Sequence, residues 1–202
     1  TKRQYGLGVF NIQENFASWW EVRAAKLFRK NYLEGYWQSE DYFSDVADLI
    51  KKEFTFKNKP RRAMTENSVS LHLRRGDYVA NLKVSRQYFV CDTDYYKTAA
   101  RIINKKVKNP KFYIFAEFPE DFVWAKSNLN LGKKIVHIHY KDYEDLQLMS
   151  MCQHNIIANS SFSWWGAWLN NNPRKIVITP KQWFKDSSKN IDNLIPSTWT
   201  KI

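Results

Sequence analysis

From Asn67 onward the chain alternates short apolar runs with amphipathic stretches, and this alternation narrows the available folds more than any other feature. Val69, Leu71 and Leu73 repeat with the period of two of a strand, whereas Tyr95, Ala99, Ile103 and Val107 recur at helical spacing across residues 94–107. The order then continues as strand in "KFYIFAE", helix in "EDFVWAKSNL", strand in "KKIVHIHY" and helix in "YEDLQLMSMC". It closes as strand in "HNIIAN", helix in "SSFSWWGAWLN" and strand in "RKIVITP". Five apolar strands separated by helices of roughly ten to fifteen residues require crossover connections, hence a parallel sheet with helices on both faces. The fold class expected is α/β, with a Rossmann-like domain over residues 66–202.

Residues 1–65 read differently, as aromatic-rich and mainly helical. Asp45, Asp48 and Glu53 with Lys51 and Lys52 form the polar side of an amphipathic helix whose Val46, Leu49, Ile50 and Phe54 point inward. Pro60-Arg61-Arg62 and the following "MTENS" read as a linker.

In sheets of this kind ligands bind beyond the carboxyl ends of the strands, where loops run into helix N-termini. Four polar clusters fall there: Arg74-Arg75-Gly76-Asp77, Ala116-Glu117, Lys141-Asp142, and Asn159-Ser160-Ser161. Arginine offers a planar fork of donors matched to two phosphate oxygens, and two arginines suit a diphosphate; an exposed basic turn is the competing reading. Gly76 permits a sharp turn or a close backbone approach, and Asp77 can orient a guanidinium. The tripeptide Arg75-Gly76-Asp77 also matches an adhesion motif, but it stands at a strand end. Asn159, Ser160 and Ser161 open a helix, so they serve either as plain N-caps or as an anion site built on free backbone N–H groups. The same three residues form an N-glycosylation sequon, read here as accidental. Phe162, Trp165 and Leu169 share one helical face and are assigned to the core, with Gly166 and Ala167 allowing close packing.

Charge bears on the partner. The formal net charge is +12, from 32 basic and 20 acidic residues, which favours a negative partner without choosing among nucleic acid, an anionic membrane and phosphorylated small molecules. No apolar run approaches the ~20 residues of a membrane span. The expectation is a soluble chain, and Cys91 and Cys152 read as buried free thiols of a reducing compartment.

Three stretches carry a resemblance: "HLRRGD" (His72 to Asp77), "YEDLQLMSMCQHNIIANSSFSWWGAWL" (Tyr143 to Leu169) and "LEGYWQSEDYF" (Leu33 to Phe43). Together they resemble the bacterial alpha-1,2-fucosyltransferases of glycosyltransferase family 11. The resemblance implies a GT-B fold, GDP-fucose as donor substrate, a galactose-containing glycan acceptor, inversion at the anomeric carbon, and no metal or other cofactor. It implies that Arg74 grips the diphosphate, that Arg75 supports the site and that Asp145 binds the guanine edge. A carboxylate accepts two parallel bonds from guanine N1–H and its amine, which adenine cannot offer. Without the resemblance, Asp145 reads equally as a first-turn partner of an N-cap at Asp142, and His72 as a nucleotide contact or a core histidine.

Catalysis would then be electrostatic, with arginine and helix N–H donors meeting the charge on the departing GDP. A base must take the acceptor proton, and Asp77 and Glu117 both stand within the rim; nearby arginines weaken Asp77 in that role. "DTD", Asp92 to Asp94, imitates a metal-binding motif but precedes a helix and reads as capping. The Gly-Gly-Leu-Gly-Asn-Gln loop of relatives has no counterpart, so residues 1–65 are expected to be an incomplete acceptor-side domain of a fragment or reduced member. The expected setting is the bacterial cytoplasm, with peripheral association at the inner membrane and no nucleic acid partner. Two alternatives are a GDP-sugar-binding protein without transfer and a basic nucleic-acid-binding domain.

Overall fold

The computed structural model describes residues 9–13, 30–34, 39–76, 79, 81–132, 135–186 and 191–202. They fall into two compact units, Thr1–Lys52 with Ser188–Pro196, and Glu53–Ser187 with Ser197–Ile202.

In the first unit, β1 (Val9–Gln13) and β2 (Lys30–Glu34) pair in parallel from Val9↔Lys30 to Gln13↔Glu34. This strand pair is an addition to the mainly helical expectation for this part. Five-residue strands are too short to display their period, and parallel partners must come from elsewhere in the chain. Two 3-10 turns, Glu40–Tyr42 and Ser44–Val46, lead into α1 (Ala47–Glu53). The inward apolar face expected here is also corrected. Val46 lies in a turn rather than on the helix, and Leu49 is 55% exposed.

The second unit contains β3 (Ser68–Leu73), α2 (Leu82–Gln87), α3 (Thr93–Lys106), β4 (Lys111–Ala116), α4 (Pro119–Asn128) and β5 (Ile135–Ile138). It continues with α5 (Asp142–Met151), β6 (His154–Ile156), α6 (Ser161–Trp168), β7 (Val177–Thr179) and β8 (Thr200–Lys201). The six strands form one sheet in the order β5-β4-β3-β6-β7-β8, and every pair is parallel. All six residues of β3 are buried, as expected of a central strand covered on both faces. Short α2 and the two-residue β8 are additions to the sequence reading.

Val69, Leu71, Leu73, Phe112, Ile114 and Ala116 pack with Ala99 and Ile103 of α3 and Ala125 of α4. Tyr113, Phe115 and Ile138 pack with Leu148 and Met149 of α5. Polar residues also enter this interior. Asn155 Nδ2 donates to Ser70 Oγ at 2.7 Å and to Met149 O at 2.9 Å, while Asn170 Nδ2 donates to Asn155 Oδ1 at 2.8 Å. Buried amides remain affordable only when partnered in this way. In α6, Trp164 rather than Trp165 is fully buried, stacked on Trp168 and tilted against Trp199; Phe162 and Trp165 stay partly exposed. Gly166 meets the expectation of close packing, since a Cβ there would lie 2.9 Å from Met149 Cβ.

The stretch from Pro60 on, which read as a linker, lies with the preceding Asn58 against α5 and β4. Gln147 Nε2 donates to Asn58 O at 2.9 Å, Arg61 pairs with Glu144, and the Thr65 and Tyr113 hydroxyls are 3.2 Å apart. Both cysteines are buried and free, and burial pushes each thiol up to about 12. Asp92 is the N-cap of α3, its Oδ1 accepting from Tyr95 N at 2.8 Å. No helix among the described residues is long and apolar enough to cross a membrane.

Candidate functional site

Strand order locates the crevice. From β3 the chain builds outward through β4 to β5, then returns with β6 on the other side of β3, so β3 and β6 diverge into opposite halves of the sheet. Ligands bind outside the carboxyl ends of the strands at such a point. The pairing Ser70↔Asn155 and Leu71↔Ile156 brings the loop after β3 beside the loop after β6. A ring contact confirms the approach, with His72 5.7 Å from Phe162 in the first turn of α6.

The two arginines after β3 diverge. Arg74 Nη1 donates to Glu117 Oε2 at 3.0 Å, with the Arg74 side chain 31% exposed at the rim. Arg75 turns inward onto α4, its guanidinium 4.0 Å over the Trp124 ring and its Nε 3.3 Å from Asp121 Oδ1. The latter is a charge contact rather than an aligned hydrogen bond, because neither Arg75 Nε nor Asp121 Oδ2 has a hydrogen-bond partner. Burial raises the Asp121 carboxyl above its ordinary value, opposed by Arg75 and the Gly76 N–H. Arg75 therefore braces the loop. Gly76 suits the close approach of the loops after β3 and β4, since a Cβ there would fall 2.4 Å from Phe118 Cε2 and displace that ring. Asp77 lies outside the described residues.

His72 is 6% exposed, and its Nδ1 has no hydrogen-bond partner. Burial first, then the charge of Arg74, lowers its pKa to about 3, so the ring is neutral. Its backbone carbonyl accepts from the Tyr96 hydroxyl at 3.1 Å. A neutral imidazole with an orphaned nitrogen thus stands at the end of β3, a buried polar group without a hydrogen-bond partner among the described residues.

After β6 the three polar residues separate into two roles. Asn159 is buried, and its Nδ2 donates to Phe89 O at 2.7 Å and Trp183 O at 2.8 Å; the Cys91 thiol lies 3.6 Å from its Oδ1. It clamps neighbouring loops, and its buried amide is not presented as a glycosylation site. Ser160 is the N-cap of α6 by backbone geometry, but its side chain makes no capping bond. The reading as a plain serine cap therefore fails here. The Ser160 side chain thus leaves the first turn of α6 without a serine cap, and Ser161 is exposed beside it. Open N–H groups at the positive end of a helix attract an anion.

At α5, Lys141 rather than Asp142 is the N-cap, and Glu144 Oε2 accepts from Lys141 N at 3.1 Å. This corrects the pairing of Asp145 with an Asp142 cap. Asp145 instead accepts from Tyr140 N at 3.0 Å through Oδ1. It is 7% exposed, and burial raises its pKa to about 6. Its Oδ2 has no partner among the described residues. A carboxylate held by one oxygen with the other unpaired is suited to receive N–H donors. No group of three or more His, Cys, Asp or Glu among the described residues is arranged to hold a metal ion.

Asp121, Trp124 and Phe118 complete the rim and were not singled out from sequence. The acidic first turn behind Pro119 was visible, but nothing local ties it to Arg75.

Comparison with known proteins gives consistent relatives. The family profile described as Glycosyl transferase family 11 matches residues 12–202. The chain is 34% identical over 180 residues to an alpha-1,2-colitosyltransferase of Escherichia coli, covering 83% of this chain and 61% of that protein. It is 38% identical over 140 residues to the O-antigen biosynthesis glycosyltransferase WbnK of Escherichia coli, covering 67% and 45%. A galactoside alpha-(1,2)-fucosyltransferase 2 of Sus scrofa is 25% identical over 155 residues, covering 68% and 45%. The chain thus spans 61% and 45% of the two Escherichia coli relatives.

Proposed function

The chain belongs to glycosyl transferase family 11, and from that premise we propose that it carries the donor half of an inverting alpha-1,2-glycosyltransferase using GDP-fucose. The acceptor would be the 2-hydroxyl of a galactose-containing glycan. The observation that carries this reading is an N-terminus of α6 that its Ser160 side chain does not cap, on the same sheet edge as Arg74 and the His72 Nδ1 that lacks a hydrogen-bond partner.

In this reading the α6 N–H groups, the Ser160 and Ser161 hydroxyls and Arg74 receive the diphosphate, and Asp145 receives guanine N1–H and amine through its unpaired oxygen. As the sugar–oxygen bond breaks, negative charge gathers on the leaving diphosphate, and these fixed donors stabilise it without rearranging. That charge needs no metal to balance it, so chelation with EDTA should leave transfer unchanged. Glu117 shares Arg74 with the incoming ligand. A diphosphate that draws Arg74 away frees the Glu117 carboxylate beside the reacting centre, where it becomes available to take the acceptor proton; Asp77 is the other group in reach by sequence.

A second reading concerns the donor alone. The alpha-1,2-colitosyltransferase is more similar to this chain than the fucosyltransferase is, so the colitosyl donor competes with GDP-fucose. Transfer to a lactose-like acceptor, assayed with both donors, decides between them. GDP binding without transfer from either donor would support a binding protein. An oligonucleotide outcompeting GDP at matched salt would overturn the nucleotide-sugar reading altogether.

A further inference from the structure

The edge of the sheet opposite the crevice holds a cavity of about 580 Å³, between the chain entering β3, the end of α3, and the starts of β6 and β7. Lys106, Lys108 and Arg174 line it against one carboxylate, Glu66. Basic residues are expected here in part, because helices end at this edge and their last carbonyls carry partial negative charge. Lys175 shows what that duty looks like: its Nζ donates to Ala167 O at 2.7 Å and Asn170 O at 2.8 Å, closing the end of α6.

The cavity cations do not do this. Asn67, not a lysine, closes the end of α3, with Nδ2 donating to Lys108 O at 2.9 Å. Among the described residues the side chains of Lys106, Lys108 and Arg174 have no ion-pair or hydrogen-bond partner. The wall behind them is braced, since Asn172 Nδ2 donates to Gln153 O and Oε1, each at 2.9 Å.

His154 adds a donor with an assigned proton. Its Nδ1 accepts from Ile176 N at 3.1 Å, so the neutral ring carries its hydrogen on Nε2. Burial lowers its pKa below the ordinary value and keeps it neutral, and Nε2 has no protein partner among the described residues. One guanidinium fork, two ammonium groups and an imidazole N–H, set against a single carboxylate, match a dianionic phosphate better than a carboxylate. The volume falls within the ~300–1,000 Å³ of small-molecule pockets, which leaves room for a group attached to the phosphate.

We infer that this cavity is a second anion site, separate from the sugar-nucleotide crevice, that takes a phosphate ester through Lys106, Lys108, Arg174 and His154. It does not rest on the identity of the donor or on the reaction at the opposite edge. The phosphate can belong to a soluble ester or to a phospholipid headgroup.

The test uses the whole chain, ¹⁵N-labelled, titrated with inorganic phosphate at low salt in a phosphate-free buffer. Saturable shifts are expected at the amides of Asn67, Lys108 and Asn172. Lys108→Gln and Arg174→Gln should each weaken this binding about tenfold, the loss of one charge-assisted contact. Arg74→Ala should leave it unchanged. In a second arm, phosphatidylcholine vesicles with and without phosphatidic acid are sedimented with the protein. Binding that needs phosphatidic acid and falls in the same variants assigns a lipid headgroup, and phosphate binding without it assigns a soluble ester. Shifts confined to the neighbourhood of Gly76 and Ser161, or unsaturable shifts spread over all lysines, would overturn the site.

Discussion

Adjacent arginines with the same chemistry have different work here. Arg74 stands at the rim on Glu117, whereas Arg75 lies on Trp124 beside the buried Asp121. Arg74→Ala should therefore weaken GDP binding tenfold or more while moving stability by only about ±0.5 kcal/mol, as for other exposed pairs. Arg75→Ala should cost about 1–3 kcal/mol of stability, because it removes the ring contact and leaves Asp121 without its cation. Calorimetric GDP titration and urea unfolding of both variants measure the two effects. Asp145 supplies a pH signature. Its carboxyl titrates near about 6 in the folded protein, and only the ionised form accepts from guanine. GDP affinity should fall as pH drops through 6, roughly tenfold per unit once the carboxyl is mostly protonated. Asp145→Asn should remove that slope, and a slope persisting in the variant would assign it to another group.

At the level of elements, the site depends on how closely α6 can approach α5. Gly166 faces Met149, where an added Cβ would stand 2.9 Å from Met149 Cβ and 3.1 Å from its Sδ. Gly166→Ala should push the helices apart at a cost of about 1–3 kcal/mol, read as a lower denaturation midpoint. Because α6 carries the open N-terminus and α5 carries Asp145, the same variant should also weaken GDP binding. Loss of stability with unaltered GDP affinity would show that the two helix starts are positioned independently of this contact. The segment 53–67 belongs to the same assembly. Arg61 pairs with Glu144 of α5 and the Thr65 hydroxyl meets that of Tyr113, which explains why a polar, proline-containing stretch looks like a linker in isolation.

Across the whole molecule, a net charge of +12 draws any polyanion, so charge alone cannot define the ligand. Specific recognition should show a shallow salt dependence for GDP and a steep one for an oligonucleotide of matched length. Lys105→Ala, at the exposed end of α3, should leave GDP binding intact where Arg74→Ala removes it; equal losses in both variants would indicate diffuse attraction. By itself the sequence determined the alternation of strand and helix in the larger unit, the burial of β3 on both faces, and the loops that share one edge. Period and chain direction are local properties, and a parallel sheet turns them directly into position. Only the tertiary structure decided that Arg75 turns away from Arg74, that Asn159 serves as a clamp while Ser160 leaves α6 uncapped, and that Trp164 rather than Trp165 lies deepest. It also paired β1 with β2, added β8 to the sheet edge and formed an open cavity at the other end of the strands. Those outcomes depend on residues distant in the chain arriving at the same place, and no local pattern records which donor will meet which acceptor once they do.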